Sequence, residues 1–214
     1  WKKDHFRLFL SHVSAHKLAV AKLKSELELR GISAFVAHED ITPSLEWQSE
    51  IELALGSMHA LAALLTSDFH SSNWTDHEVG FALGKGILVV PVRLGANPYG
   101  FIGKVQGLSG SFDKPIQLAD LISGTLHNHT TTRREARRAV ITAFAGAQSF
   151  INAIALSKTI AALKDFTKEE KSVIKRACDE NDQVYNAIGV VSRVRVAAGI
   201  PADKKKSDDA DVPF

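Results

Sequence analysis

Short apolar runs alternate with amphipathic stretches over the first half of the chain. Four runs are almost entirely apolar, and they lie at residues 6–10, 32–36, 61–65 and 87–92. Runs of this length are typical of strands that are buried on both faces. Between the first two runs, apolar residues recur every four positions from Ala15 to Leu27, which predicts an amphipathic helix that ends before Gly31.

Two further helical patterns, at residues 47–55 and 73–83, separate the later strands. Strands joined through helices need crossover connections, so the sequence predicts a parallel sheet with helices on both faces. In such sheets, ligands bind beyond the carboxyl ends of the strands. The segments in which to look for chemistry are those that follow the strands, at residues 11–14, 37–46, 66–73 and 93–110.

The pattern changes near residue 131, beyond which no strand is predicted. Segments 132–135 and 167–170 both fit the capping box that begins a helix. An apolar stripe continues from Ala136 to Ile154 at helical spacing, and we expect it to pack against the first domain or against a second copy of the chain. The sequence therefore divides into a domain at 5–130, a helical extension at 131–200 and a disordered tail at 201–214.

Composition excludes several classes of protein. The 214 residues carry 26 Lys and Arg against 24 Asp and Glu, and a net charge of +2 gives no general signal for binding nucleic acid. The single cysteine, Cys178, cannot form an internal disulfide. No apolar run approaches the roughly 20 residues that span a bilayer, and we recognise no signal peptide. We expect a cytoplasmic protein that binds neither membrane nor nucleic acid.

Common nucleotide and hydrolase motifs are absent. The chain has no GxxxxGKS or GxxxxGKT loop and no GxSxG elbow, and the Gly84-Lys85-Gly86 segment lacks the third glycine of a dinucleotide motif. Nine histidines suggest a metal site, but His12 and His16 have no clear third ligand nearby. We therefore predict no metal ion and no bound cofactor.

One pair of residues stands out. Trp74 and Glu78 are four residues apart on the helix that follows the third strand, so they share a face near the ligand-binding edge of the sheet. By itself, such a pair is more often a core tryptophan with a surface carboxylate. Other landmarks accompany it in order: FLSH at 9–12, GI at 31–32, FV at 35–36, HEDI at 38–41, EW at 46–47 and SxxWxxxE from Ser71 to Glu78.

Together these landmarks resemble the Toll/interleukin-1 receptor (TIR) domain, in particular its bacterial branch. Residues 35–47 are also similar to TIR proteins of Thoeris-type antiphage defence, and the resemblance covers residues 5–126. It implies a flavodoxin-like sheet of five parallel strands. Many members of the family cleave NAD+ at the bond between nicotinamide and ribose, which gives nicotinamide and ADP-ribose or a cyclic isomer. NAD+ would then be the substrate rather than a cofactor.

The resemblance also assigns the site. The catalytic glutamate of the family corresponds to Glu78, which we expect to stand in an open cleft. The residues that correspond to substrate contacts are Ser11, His12, His38, Trp47, Ser71 and Trp74. Glycosidases usually need a second carboxylate to protonate the leaving oxygen, but nicotinamide leaves NAD+ as a neutral molecule, so one carboxylate suffices.

Three functions stay open at this point. The first is an enzyme that converts NAD+ into a signal read by a separate effector protein, active as a self-associated form completed through residues 37–46. The second is a TIR scaffold that assembles through the same segment without catalysis. The third is a nucleoside deoxyribosyltransferase-like enzyme, since that family also uses a glutamate on a related sheet. Glu78 favours the first function over the second.

Overall fold

The apolar runs form one sheet in a computed structural model that describes residues 1–36 and 47–201. Its strands are β1 (Phe6–Ser11), β2 (Ile32–Phe35), β3 (Ala60–Leu65), β4 (Leu88–Arg93) and β5 (Leu108–Ser109). They lie in the order β2-β1-β3-β4-β5, and every pairing is parallel. The predicted flavodoxin-like sheet is therefore confirmed. β5 has only two residues, too few to produce a recognisable pattern in the sequence.

Helices cover both faces of this sheet, as predicted. Those of the first part are α1 (Lys17–Glu28), α2 (Trp47–Ser57), α3 (Thr75–Gly84) and α4 (Pro115–Asn128). Alternate residues of β1 point to opposite faces, because side chains along a strand alternate. Leu8 and Leu10 belong to the core beneath α1 and α4, whereas Phe9 belongs to the core beneath α2 and α3.

The C-terminal residues form a third core, which consists of helices alone. The helices are α5 (Arg133–Ala145), α6 (Phe150–Ala161), α7 (Lys168–Glu180), α8 (Asp182–Tyr185) and α9 (Val190–Ala198). α5 contributes to two of the three cores. Ala136 and Ala139 pack in the core beneath α1 and α4, and Phe144 packs among α6–α9. Cys178 is buried in the helical core. Residues 202–214 of the predicted tail lie outside the described residues.

Two expectations about these helices are wrong. The apolar stripe does not continue along one helix, because α5 ends at Ala145, just before Gly146, and Ser149 caps a new helix by accepting a hydrogen bond from the backbone N–H of Asn152. Ile151 is consequently 71% exposed. The capping box at 167–170 is confirmed, but Thr132 makes none, since its hydroxyl donates to the carbonyl of Leu126 instead.

α5 packs near the amino ends of β1 and β2, on the side away from the carboxyl edge of the sheet. Gly31, which directly precedes β2, has a left-handed backbone with φ of +76°. A Cβ added there would lie 3.2 Å from the Cα of Val140 and 3.3 Å from the Cβ of Ala143. Close packing of α5 thus requires a glycine at this turn. In the part of the chain that the structure describes, no helix is long and apolar enough to cross a bilayer.

We expect Gly31→Ala to lower the free energy of unfolding by about 3 kcal/mol. Left-handed strain accounts for about 1–2 kcal/mol, and crowding against α5 accounts for the rest. Gly86→Ala is the matched control, because Gly86 has φ of +68° but open space around the added Cβ. Gly86→Ala should lower the free energy of unfolding only by the left-handed strain, about 1–2 kcal/mol. Equal losses in urea unfolding of the two variants would show that α5 does not pack tightly on this turn.

Candidate functional site

Ser11 and Glu78 meet at the carboxyl edge of the sheet. Ser11 is the last residue of β1, fully buried, and pairs with Ala63 of β3. The strand order reverses between β1 and β3, which is where parallel sheets of this kind open a crevice for ligands. Glu78 lies in the first turn of α3, and its Oε2 accepts a hydrogen bond of 2.6 Å from the hydroxyl of Ser11.

The residue Glu78 is only 5% exposed, so the expectation that it stands in an open cleft is wrong. Burial raises the pKa of Glu78 from its usual 4.5 to about 7, because a desolvated carboxylate loses its hydration. The hydrogen bond from Ser11 acts in the opposite direction and lowers the pKa, since it stabilises the charged form. Glu78 is thus divided between its neutral and charged forms near neutral pH.

Trp74 stands at the entrance to this helix. It directly precedes α3, and its carbonyl oxygen accepts a hydrogen bond of 2.9 Å from the backbone N–H of Glu78. Its side chain is 40% exposed, so the indole is accessible next to the first turn that carries Glu78. Ser71 is also exposed and ends a short 3₁₀ helix, Phe69–Ser71, that leads into α3.

Of the three remaining residues that were predicted to contact the substrate, the structure describes the side chain of one. His12 is buried just beyond β1, and its Nδ1 lies 3.0 Å from the carbonyl oxygen of Leu10. His38 lies outside the described residues. Trp47 begins α2, but its side chain also lies outside what the structure describes. The structure thus joins Ser11 to Glu78 directly and sets Trp74 at the same helix end.

Two anchors of α3 were not predicted from the sequence. The hydroxyl of Thr75 donates to the carbonyl of Phe69 at 2.6 Å, and the hydroxyl of Tyr99 donates to the carboxylate of Asp76. Both hold the first turn of the helix, from which Glu78 projects. Thr75 adjoins Trp74 in the sequence and was recognisable as a helix-start residue, whereas Tyr99 belongs to the loop after β4 and has no spacing signal.

A second polar pair lies along the same edge. Nε2 of His16 is 3.1 Å from Oδ1 of Asp68, which follows β3. The Thr66 hydroxyl, and then His16, lower the pKa of Asp68. His16 ends a 3₁₀ turn before α1 rather than lying in that helix, so the predicted start of the helix near Ala15 is two residues early. Among residues 1–36 and 47–201, no three His, Cys, Asp or Glu side chains gather as a metal site requires.

Burial of Glu78 has a measurable effect on stability. Because its pKa is higher in the folded than in the unfolded chain, the folded state binds more protons between pH 4.5 and about 7, and stability falls as pH rises through that window. We expect Glu78→Gln to unfold like the wild type near pH 4 but to be more stable near pH 8 by up to about 3 kcal/mol. Urea unfolding of both proteins at both pH values checks this. If the difference in unfolding free energy between the variant and the wild type is the same at pH 4 and at pH 8, Glu78 does not titrate as a buried carboxyl group.

A comparison with models of protein families identifies the family of this chain. The family model for the TIR domain matches residues 8–138, which is more than half of the chain. Among solved structures, the chain is similar to the TIR domain of the Toll-related receptor TRR-2 from the lower metazoan Hydra magnipapillata. The two are 20% identical with a TM-score of 0.46, and the match covers 62% of this chain and 98% of the other. A search of curated proteins finds no match. The chain belongs to the TIR domain family.

Proposed function

We propose that this chain is an NAD+ nucleosidase or cyclase that breaks the bond between nicotinamide and ribose. The observation that carries the proposal is the Ser11–Glu78 pair, a buried carboxylate with a pKa of about 7 at the strand reversal of the sheet. A desolvated carboxylate stabilises a nearby cation far more strongly than one in water does. Strongly perturbed carboxyl groups at such an edge are typical of functional sites.

The chemistry requires one charged group rather than two. As the bond between the ribose carbon and the nicotinamide nitrogen breaks, its electron pair goes to the ring, which changes from a pyridinium cation to neutral nicotinamide. The ribose carbon gains positive charge, and the carboxylate of Glu78 stabilises it. Water, or a nucleophilic group of the adenosine part, then bonds to that carbon, and the proton that this group gives up passes to solvent. The products are ADP-ribose or a cyclic isomer.

The raised pKa of Glu78 suits a cationic substrate such as NAD+ better than a neutral substrate. An opposite charge lowers the pKa of a carboxyl group, so the nicotinamide cation of NAD+ favours the ionised, reactive form of Glu78. Neutral nicotinamide has no such effect, and its release is therefore favoured once the bond is broken. Trp74, accessible beside the same helix turn, is suited to stack on a cationic ring for the same electrostatic reason.

The wider setting of the reaction is also a proposal. The sequence resemblance to the Thoeris-type TIR proteins supports a role in bacterial antiphage defence, in which the product acts as a signal for a separate effector protein. Self-association of TIR domains supports assembly of the active form. The segment 37–46, through which we expected copies to join, lies outside the described residues.

Mass spectrometry of purified protein with candidate substrates tests the proposed function. Separate mixtures contain NAD+ and a deoxynucleoside with a free base. We expect nicotinamide together with ADP-ribose or its cyclic isomer in the first mixture and unchanged material in the second. Base exchange in the second mixture would instead favour the deoxyribosyltransferase. No turnover in either, from concentrated and folded protein, would favour the scaffold.

A further inference from the structure

A second carboxylate stands at the carboxyl edge of the sheet, on the same side of the molecule as the Ser11–Glu78 pair. Asp68 is the third residue after β3, and its Oδ1 lies 3.1 Å from Nε2 of His16, which follows β1. β1 and β3 are the two strands between which the strand order reverses. The His16–Asp68 contact therefore joins the two strand ends that flank the crevice where sheets of this kind bind ligands.

Asp68 is also tied to the helix that carries Glu78. The next residue, Phe69, accepts at its carbonyl oxygen a hydrogen bond of 2.6 Å from the hydroxyl of Thr75, which lies in the first turn of α3. Both carboxylates therefore belong to one connected piece of structure. The edge that carries the proposed reaction holds Asp68 as a second carboxylate in a fixed place.

Packing around His16 fixes the direction of the Asp68 carboxylate. The imidazole stacks on Phe112, with 5.7 Å between the ring centroids and 23° between the ring planes, and Phe112 packs against the core of α1 and α4. Since a carboxylate only accepts hydrogen bonds, Nε2 of His16 is the donor. An acceptor that is already held in one direction loses less conformational freedom when it binds a ligand.

The carboxylate of Asp68 is both ionised and accessible. Hydrogen bonds from the hydroxyl of Thr66 and from His16 lower the pKa of Asp68, because they stabilise the charged form. The side chain of Asp68 is 40% exposed. A carboxylate has about four lone-pair sites on its two oxygens, so Asp68 keeps acceptor capacity beyond its contact with His16.

Two neighbouring hydroxyl groups suit a fixed, ionised carboxylate of this kind. Carboxylates at the edge of nucleotide-binding sheets accept hydrogen bonds from ribose hydroxyls, and like charge disfavours a phosphate at the same position. We propose that Asp68 binds the 2′- and 3′-hydroxyls of the adenosine ribose of NAD+, with His16 as its positioning residue, and thereby excludes NADP+. The inference rests on the part of the proposed function that places NAD+ at this edge.

Isothermal titration calorimetry with ADP-ribose and with ADP-ribose 2′-phosphate tests this assignment. Neither probe contains the bond to nicotinamide, so the wild-type protein can be used whether or not it cleaves NAD+. We expect the wild type to bind ADP-ribose at least about tenfold more tightly than its 2′-phosphate. Asp68→Asn loses charge-assisted hydrogen bonds and the repulsion, so it should bind ADP-ribose about tenfold more weakly and prefer it by less than about threefold.

Two further variants separate the role of position from that of charge. His16→Phe keeps a ring that stacks on Phe112 and leaves the charge of Asp68 in place. It should bind ADP-ribose at least about threefold more weakly, because the carboxylate is no longer held, but keep the preference over the 2′-phosphate. Asp113→Asn is the matched control, since it removes an exposed carboxylate between β5 and α4. Both dissociation constants should stay as in the wild type.

The preference for ADP-ribose decides the proposal. A wild type that does not bind ADP-ribose, or that binds the 2′-phosphate equally well, would overturn it, as would an unchanged preference in Asp68→Asn. Loss of the preference in Asp113→Asn would show that the total charge of the edge, rather than Asp68, repels the phosphate. Selective binding by a wild type that releases no nicotinamide from NAD+ would support the ribose site and refute the proposed activity, so the two failures are distinguishable.

Discussion

Replacement of Glu78 by glutamine is expected to slow nicotinamide release from NAD+ at least about a hundredfold. The amide keeps the size of the side chain and can still accept the hydrogen bond from Ser11, but it carries no charge to stabilise the ribosyl cation. A loss of this size is typical when one preorganised electrostatic contact is removed from an active site. Initial rates at saturating NAD+ near pH 8, where wild-type Glu78 is ionised, measure the effect.

The same chemical change at a distant carboxylate is the control. Glu180 is exposed at the end of α7, a helix of the C-terminal extension that packs against α5 and α9. Glu180→Gln should therefore keep the wild-type rate. A Glu78→Gln variant that keeps more than half of the activity would remove this residue from the mechanism, since partial retention at that level is incompatible with a role for its charge.

The rate of NAD+ cleavage should rise with pH in a way that reports Glu78. The pH profile of kcat/KM reflects the free protein and should inflect at about 7, where Glu78 ionises. The profile of kcat reflects the complex and should inflect lower, because the nicotinamide cation favours the carboxylate. Ser11→Ala removes a hydrogen bond to the charged form, so we expect the kcat/KM profile to move to higher pH and the rate at pH 7 to fall about tenfold.

Activity of Ser11→Ala should then recover as the pH is raised, which separates an effect on ionisation from damage to the fold. A variant that is equally impaired at every pH would show that Ser11 does not act through the titration of Glu78. Profiles of kcat and kcat/KM that inflect together would likewise contradict the effect of the substrate cation on Glu78.

The sheet could be predicted from the sequence because its strands are buried on both faces. A run such as Leu61 to Leu65 has no polar face to confuse the pattern, and the helices between the runs force a parallel arrangement. β5 was not predicted from the hydrophobic pattern, because two residues are too few to show a periodicity. The break between α5 and α6 was missed for a different reason: Ala147 and Ile151 keep the four-residue spacing across it, although Gly146 and Ser149 signal a helix end and a new start.

The site was only partly predictable. Sequence spacing places Trp74 and Glu78 on one helix, but the contact between Ser11 and Glu78 joins residues 67 apart and depends on the tertiary fold. The sequence resemblance named both residues without indicating that they touch. Burial of the carboxyl group, and hence its raised pKa, depends on what packs around the first turn of α3. Tyr99 reaches that turn from a loop, where no periodicity operates.

A proton NMR time course of NAD+ with the concentrated protein near pH 8 tests the central claim most directly. The signals of nicotinamide in its free and ribose-bound forms are distinct, so bond cleavage is observed without an assumption about the other product. We predict that free nicotinamide accumulates with the wild type and with Glu180→Gln but at a rate at least about a hundredfold lower with Glu78→Gln. Intact NAD+ in the presence of folded, concentrated wild type, or equal release by the wild type and Glu78→Gln, would contradict the account.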